Sequence, residues 1–467
     1  MTGKKEPRLQ EYFPISQDLP LPEGVSKEQI YQVLMSLKLS CEHLPHETAS
    51  PLSAEEIADE LAQYKKQHIN RFIYTFGLLK GLKGKCLELG AYPYITTLMI
   101  EQFTNLQLEL ADYFYPYDNK KPIIHEGTFI ESHTGSKTHV KFTSQNFNIE
   151  KDKFPFEDSR FEVVLFCELL EHLTIDPMAA MVEIKRILKP GGRIVISTPN
   201  VNSLGNVARM ISGENIYYRY TGYGPYGRHN REYNISEIYE LLRACGFIVE
   251  TIFTVDTTEN GTDDYLPSSE LKHLLRGREH TLGQFIFARA ISNKGFSPMR
   301  PSFLYSGYPS DQIDASPLFC APQRRANEDV IEGENMELSC GWHSLESWGN
   351  LPTRWMGDNA LIVVTSGEDR KAVLSFDIIS FHFPRTLELY IDDLFCSLSA
   401  EIESHKKVRE VSPERFIKVM EEIHLKKGVN LLRMHSPEGA TKPCDLPELK
   451  SPDSRPLGMA FQNIKLR

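Results

Sequence analysis

Between Lys85 and Ala290, short apolar runs of strand length alternate with amphipathic stretches of helix length, and this alternation restricts the possible folds more than any other feature. Lys85–Leu89, residues 106–110, Phe161–Cys167 and residues 193–197 read as strands, whereas residues 96–103 and 178–188 read as helices. Pro190-Gly191-Gly192 stops the second of these helices. Asn234 is placed to cap another, with Glu237 in its first turn and Gly246 closing it. Residues 247–253 and 284–290 supply a last strand pair. Strands alternating with helices predict an α/β fold with a mainly parallel, doubly wound sheet.

The flanks are made of different material. Residues 1–80 begin as a Pro-rich leader and continue as a helical segment, with Ile30, Val33, Leu34 and Leu37 at helical spacing. Residues 293–335 carry Pro298, Pro301, Pro309, Pro317 and Pro322 and read as a linker. Residues 336–467 alternate with a period of two between turn signals and predict an all-β sandwich, apart from helical periodicity over 413–423. No apolar run approaches the roughly 18 residues of a membrane span, and no apolar core follows the N-terminus. The eight cysteines form no CxxC pair, which points to a reduced, cytoplasmic chain and against disulfide scaffolds and zinc ribbons. With 52 basic and 63 acidic residues the net charge is −11, which argues against a nucleic-acid partner.

Candidate functional residues cluster at the ends of the expected strands. In Cys86-Leu87-Glu88-Leu89-Gly90-Ala91, the glycine after the first strand lets the backbone turn tightly and approach a ligand at the carboxyl edge of the sheet. Asp112 follows about twenty residues on, at the end of the second strand, where a carboxylate can accept from both ribose hydroxyls of a nucleoside. Then come Phe154-Pro155-Phe156-Glu157-Asp158, Glu168-Leu169-Leu170-Glu171-His172, Arg186-Ile187-Leu188-Lys189-Pro190-Gly191-Gly192 and Ser197-Thr198-Pro199-Asn200. Read as helix, the second of these motifs sets Glu168, Glu171 and His172 on one face, an oxygen-rich set with an imidazole that suits Mg²⁺ or Mn²⁺. Without a cation, His172 or His229 is the general-base candidate. Tyr217, Tyr218, Tyr220, Tyr223 and Tyr226 precede His229 and either stack on a sugar or ring substrate or cover the sheet edge. Arg231 is a candidate contact for an anionic group. All three tryptophans, Trp342, Trp348 and Trp355, fall in one stretch with Glu346 and Arg354, and fit either sugar stacking or a sandwich core.

In order and spacing, the motifs of residues 80–290 resemble the class I S-adenosylmethionine-dependent methyltransferases. The resemblance implies a seven-stranded Rossmann-like sheet with the cofactor across its carboxyl edge. Glu88 and Gly90 would lie near the methionine half, Asp112 at the ribose and Asn148 on the adenine side, with Ala91 and Glu168 also against the cofactor. One departure is visible: Tyr92 and Tyr94 stand where the family's glycine-rich turn has its second and third glycines. The E-x-x-E-H motif followed by His229 is similar to two metal-dependent branches, the ubiquinone-biosynthesis O-methyltransferases and the small-RNA 3′-terminal 2′-O-methyltransferases. That similarity implies a cation held by Glu168, Glu171, His172 and His229, binding a hydroxyl or vicinal diol and lowering its pKa. The region 336–467 resembles β-sandwich modules of polysaccharide-biosynthesis enzymes.

The expectation is therefore a methyltransferase domain over 81–292 that O-methylates a sugar or surface-polysaccharide hydroxyl, contacting it through Tyr223, Tyr226, Arg231, Trp342 and Trp355. Two alternatives share parts of this pattern. One is a metal-dependent 2′-O-methyltransferase of RNA ends, which the acidic balance disfavours. The other is an inactive methyltransferase fold serving as a glycan-binding scaffold.

Overall fold

The computed structural model describes residues 19–21, 24–39, 54–113, 121–130, 136–221, 224–258, 265, 271, 281–293, 298–314, 330–332, 336–393 and 406–467. Most of the proline-rich stretch at 315–335, and Tyr223, lie outside the described residues. Two compact units emerge. The first is Met1–Asn234, Ile252–His273 and Thr281–Phe296, and Ile235–Thr251 and Ser297–Arg467 belong to the second. The division differs from a cut near residue 292, because a helix and part of a strand at 235–251 group with the C-terminal region.

Two helices precede the sheet: α1 (Lys27–Ser36), opened by a reciprocal Ser26/Gln29 capping box, and α2 (Ala54–Gly77). The sheet contains β1 (Leu37–Leu39), β2 (Lys85–Leu89), β3 (Gln107–Asp112), β4 (Ile123–Ile130), β5 (Lys137–Asn146), β6 (Phe161–Cys167), β7 (Leu188–Pro199), β8 (Phe247–Val255) and β9 (Phe285–Ser292). Helices α3 (Ile95–Phe103), α4 (Pro177–Ile187), α5 (Leu204–Ile211) and α6 (Ile235–Ala244) connect them. Strand order is β1-β4-β5-β3-β2-β6-β7-β9-β8. From β5 to β7 neighbouring strands run parallel, while β9 is antiparallel to β7.

The sheet thus has nine strands rather than the expected seven. The two additions are β4, antiparallel to β5, and β1, antiparallel to β4. Residues 123–146 mix His125, Glu126, Lys137, His139 and Lys141 into their alternation, so this hairpin arm shows little apolar period, and the short β1 covers its outer edge. The chain turns one way from β2 to β3 and the other way from β6 to β7, so the order reverses between β2 and β6. A crevice at the carboxyl ends of strands is expected at such a switch point.

Strands of a five-stranded and a six-stranded sheet form the C-terminal sandwich around one core that includes Ile362, Leu432 and Met434 from one sheet and Leu374, Phe376 and Phe461 from the other. The helix expected over 413–423 is instead the strand Ile417–Leu425. Val419, Glu421, Ile423 and Leu425 turn inward at every second position, a period that overrides the weaker helical one. Trp342 and Trp355, expected at a sugar-binding surface, are core residues at 0% and 2% exposure. Trp342 packs edge-on to Phe461 and its indole N–H donates to the Leu361 carbonyl at 2.8 Å.

Candidate active site

At the switch point a cavity of about 340 Å³ opens, lined by Glu88, Gly90, Ala91, Asp112, Asn148, Glu168, His172 and Tyr226, among others. Each expected cofactor-side residue is therefore at one place. Gly90 has φ +67°, and a Cβ there would sit 2.6 Å from Leu169 Cδ2, so any other residue at this turn would be strained and would displace the Leu169 side chain. Donors of the loop are used locally. Gly90 N–H and Ala91 N–H donate to Ala111 O at 2.8 and 3.3 Å, and Tyr92 N–H donates to Asp112 Oδ1 at 2.9 Å. Aromatic packing takes over where the family has further glycines. Tyr94 is fully buried and stacks on Phe142 of β5 with ring centroids 4.1 Å apart, and Tyr92 packs on His125 of β4.

Asp112 ends β3 with Oδ2 buried and without a hydrogen-bond partner. Burial pushes its carboxyl up to about 6, against the opposing pull of the nearby Ser144 hydroxyl and of the Tyr92 and Ala91 N–H groups. Glu88, on the neighbouring strand, accepts from Thr97 Oγ1 at 2.6 Å, and burial pushes it up to about 8. An open acceptor on Asp112, beside a glycine turn and in a cavity of this size, fits the nucleoside half of S-adenosylmethionine. Asn148 lines the same cavity with its side chain already engaged. Its Nδ2 donates to Tyr226 Oη at 2.9 Å and its Oδ1 accepts from Glu150 N–H at 2.9 Å, so it fixes Tyr226 in the cavity wall.

A second cluster adjoins. Ligand-type atoms of Glu171, His172 and His229 lie within 4.8 Å of one another. Glu171 Oε2 accepts from Thr198 Oγ1 at 2.9 Å, whereas Oε1 is buried, has no hydrogen-bond partner and faces His172 Nε2 at 3.8 Å. His172 Nδ1 lies 3.0 Å from Arg228 O, so the proton is assigned to Nδ1 and Nε2 keeps its lone pair. His229 Nδ1 is 2.7 Å from Glu232 Oε1, which assigns the other imidazole in the same way. Tyr218 stacks on His229, with centroids 4.1 Å apart. Burial, reinforced by His229, holds His172 down to about 4, so it is neutral near pH 7. Burial and the Glu168 charge push Glu171 well above the carboxylate range. An orphaned carboxylate oxygen and two imidazoles, each oriented by a second partner, fit a divalent cation.

Glu168 departs from the expected ligand set. The motif is not a helix but a single tight turn over Leu170–His172, and Glu168 precedes it at φ +52°. Its side chain points elsewhere: Oε1 accepts from Ser197 Oγ at 2.8 Å and Oε2 meets Arg71 Nη1 at 2.9 Å. Arg71, with Tyr64, Phe72 and Thr75 of α2, lines the same cavity, and none of these was anticipated. The available signal was a cation inside the apolar run Ile69-Asn70-Arg71-Phe72-Ile73.

Of the expected substrate contacts, Tyr226 lines the cavity. Arg231 is exposed, its guanidinium lies 5.3 Å from the Tyr233 ring, and it does not line the cavity. Trp342 and Trp355 are unavailable as core residues; among the tryptophans Trp348 is exposed, at 42%.

Residues 56–252 match a family model described as a methyltransferase domain. A ubiquinone biosynthesis O-methyltransferase of Cereibacter sphaeroides is 38% identical over 89 residues, covering 19% of this chain and 34% of that protein. A ubiquinone/menaquinone biosynthesis C-methyltransferase of Desulfotalea psychrophila is 29% identical over 114 residues, covering 21% of this chain and 44% of that protein. The chain spans about a third of the length of curated relatives such as the first. A SAM-dependent methyltransferase structure from Archaeoglobus fulgidus overlaps 51% of this chain and 94% of its own, with 16% identity and a TM-score of 0.29. Across residues 56–252, then, this chain carries a domain of the methyltransferase type.

Proposed function

We propose that the protein is an S-adenosylmethionine-dependent O-methyltransferase assisted by a divalent cation, acting on a hydroxyl of a sugar-containing acceptor. The observation that carries this reading is the pair of buried, unpartnered carboxylate oxygens, Asp112 Oδ2 and Glu171 Oε1, one in the cofactor cavity and one in the adjoining cluster. When bound, the cofactor supplies an electrophilic methyl group. Asp112 accepts from the ribose hydroxyls, the Gly90 turn lets the backbone come close, and Asn148 holds Tyr226 as a wall. A cation held by Glu171, His172 and His229 would lower the pKa of an acceptor hydroxyl. In the absence of a cation, His172, neutral near pH 7 and lining the cavity, is instead the group placed to take the proton.

Support for a sugar is narrower than the sequence suggested. The cluster suits a hydroxyl or diol, and the charge of −11 disfavours an RNA end, but Trp342 and Trp355 contribute nothing. The inactive-scaffold alternative drew on the missing glycines, and here aromatic packing of Tyr92 and Tyr94 replaces them beside an open cavity. The test is methyl transfer from labelled cofactor to nucleotide sugars, extracted cell-surface glycans and RNA ends, with and without EDTA. Transfer to a sugar hydroxyl that EDTA abolishes is expected. Full transfer in excess EDTA discards the cation, transfer to RNA alone discards the sugar, and no binding of S-adenosylmethionine at millimolar concentration discards the enzyme.

A further inference from the structure

We infer that Arg71 is a positioning residue that clamps Glu168 into the cavity wall and keeps it out of the Glu171–His172–His229 cluster, an inference that rests on the cation reading above. Glu168 and Glu171 are three residues apart on one turn, yet they are used oppositely. Glu171 leaves Oε1 open, while Glu168 has both oxygens engaged, by Ser197 at 2.8 Å and by Arg71 at 2.9 Å. The left-handed backbone at Glu168 is a conformation that non-glycine residues adopt only when their surroundings hold them. The surroundings here are rigid. Arg71 is 6% exposed, bonds the Tyr64 hydroxyl, and has its guanidinium carbon 5.0 to 5.3 Å from the rings of Phe72, Tyr64 and Phe285. A planar guanidinium packed among rings loses little freedom on pairing and does not follow a carboxylate that moves.

The clamp has a chemical consequence. With Glu168 neutralised by Arg71, the cluster offers two imidazoles and one carboxylate, a set that leaves coordination positions open. Those positions are what a hydroxyl or diol acceptor needs, and a fourth protein ligand would fill one of them.

Mn²⁺ binding to the full-length chain, followed by the EPR signal of the free ion, tests the clamp without using activity. Glu171→Gln should weaken Mn²⁺ by more than about tenfold, and Glu168→Gln should change it by less than about twofold. Arg71→Met should free Glu168 to join the cluster and tighten Mn²⁺ by about fivefold, with Arg71→Lys shifting it less in the same direction. Arg71→Lys serves if the Met variant fails to fold, as judged by its thermal melt. Equal losses for Glu168→Gln and Glu171→Gln, or no tightening in the folded Arg71 variants, overturn the clamp. If the unaltered chain binds no Mn²⁺, the cation reading fails. The clamp then survives only if an Arg71 variant acquires binding, and is overturned if none does.

Discussion

Asp112 illustrates how one residue ties the cavity to pH. Its carboxyl is pushed up to about 6 by burial, so lowering the pH through about 6 protonates the group that must accept from a ligand. Affinity for S-adenosylhomocysteine, measured by calorimetry, should therefore fall as pH drops below about 6, and Asp112→Asn should remove that dependence. At pH 7.5, Asp112→Ala should weaken binding by about ten- to a hundredfold, the loss expected for hydrogen bonds to a charged acceptor. Glu88 makes the opposite statement about stability. Its folded-state pKa of about 8 exceeds the ordinary 4.5, so the folded chain holds a proton there that the unfolded chain releases. That stabilisation is present in full below about pH 4.5 and is lost as pH rises toward about 8. Glu88→Gln should flatten the decline in melting temperature across that window, and an unchanged slope would mean that Glu88 is charged in the fold. Residue identity alone misled for tryptophan, because an indole serves a core and a binding face equally well, and burial alone separates Trp342 from Trp348.

Turns and strands, more than helices, arrange the candidate chemistry. The Leu170–His172 turn and the segment from Arg228 to Glu232 approach from different parts of the chain to form the cluster, and Glu232 sets the tautomer of His229. Glu232→Gln should weaken divalent-cation binding by about ten- to a hundredfold while leaving cofactor affinity unchanged. Much of this level was legible beforehand. The strands at Lys85–Leu89 and Phe161–Cys167, the glycine turn and the acid at the end of β3 follow from apolar period and spacing. Three things were not legible, each for a physical reason. The β4–β5 arm carries polar residues on both faces and so hides its period. Glu168 reads as part of a helix face, but its backbone is left-handed and its carboxylate is held by Arg71 and Ser197. Arg71 stands nearly a hundred residues from its partner, and no local pattern reports a pairing across that separation.

Over the whole chain, sequence order and structural grouping disagree. Expectation placed one boundary near residue 292, yet α6 and the start of β8 belong to the unit that contains the sandwich. The bonds that join them are internal to that unit: Tyr239 Oη donates to Asn359 O at 2.9 Å, and Asn359 Nδ2 donates to Val249 O at 3.0 Å. A chain ended at residue 335 should therefore expose the apolar face of α6 and aggregate or lose S-adenosylhomocysteine binding. A soluble, monodisperse truncation that binds as tightly as the full chain would show α6 to be independent. The acidic balance acts at this scale too. If the acceptor is a neutral sugar, its KM should change little between low and moderate salt, whereas a phosphate-rich acceptor would bind progressively less well.

The same grouping sets a clock on synthesis. Tyr239 is made 120 residues before the Asn359 carbonyl to which it bonds, an interval of about 6 to 24 s at ordinary elongation rates. Throughout that interval the Asn359 carbonyl does not yet exist. A nascent chain of this design therefore leaves the Tyr239 hydroxyl of α6 without its backbone acceptor for many seconds, until residue 359 has been made.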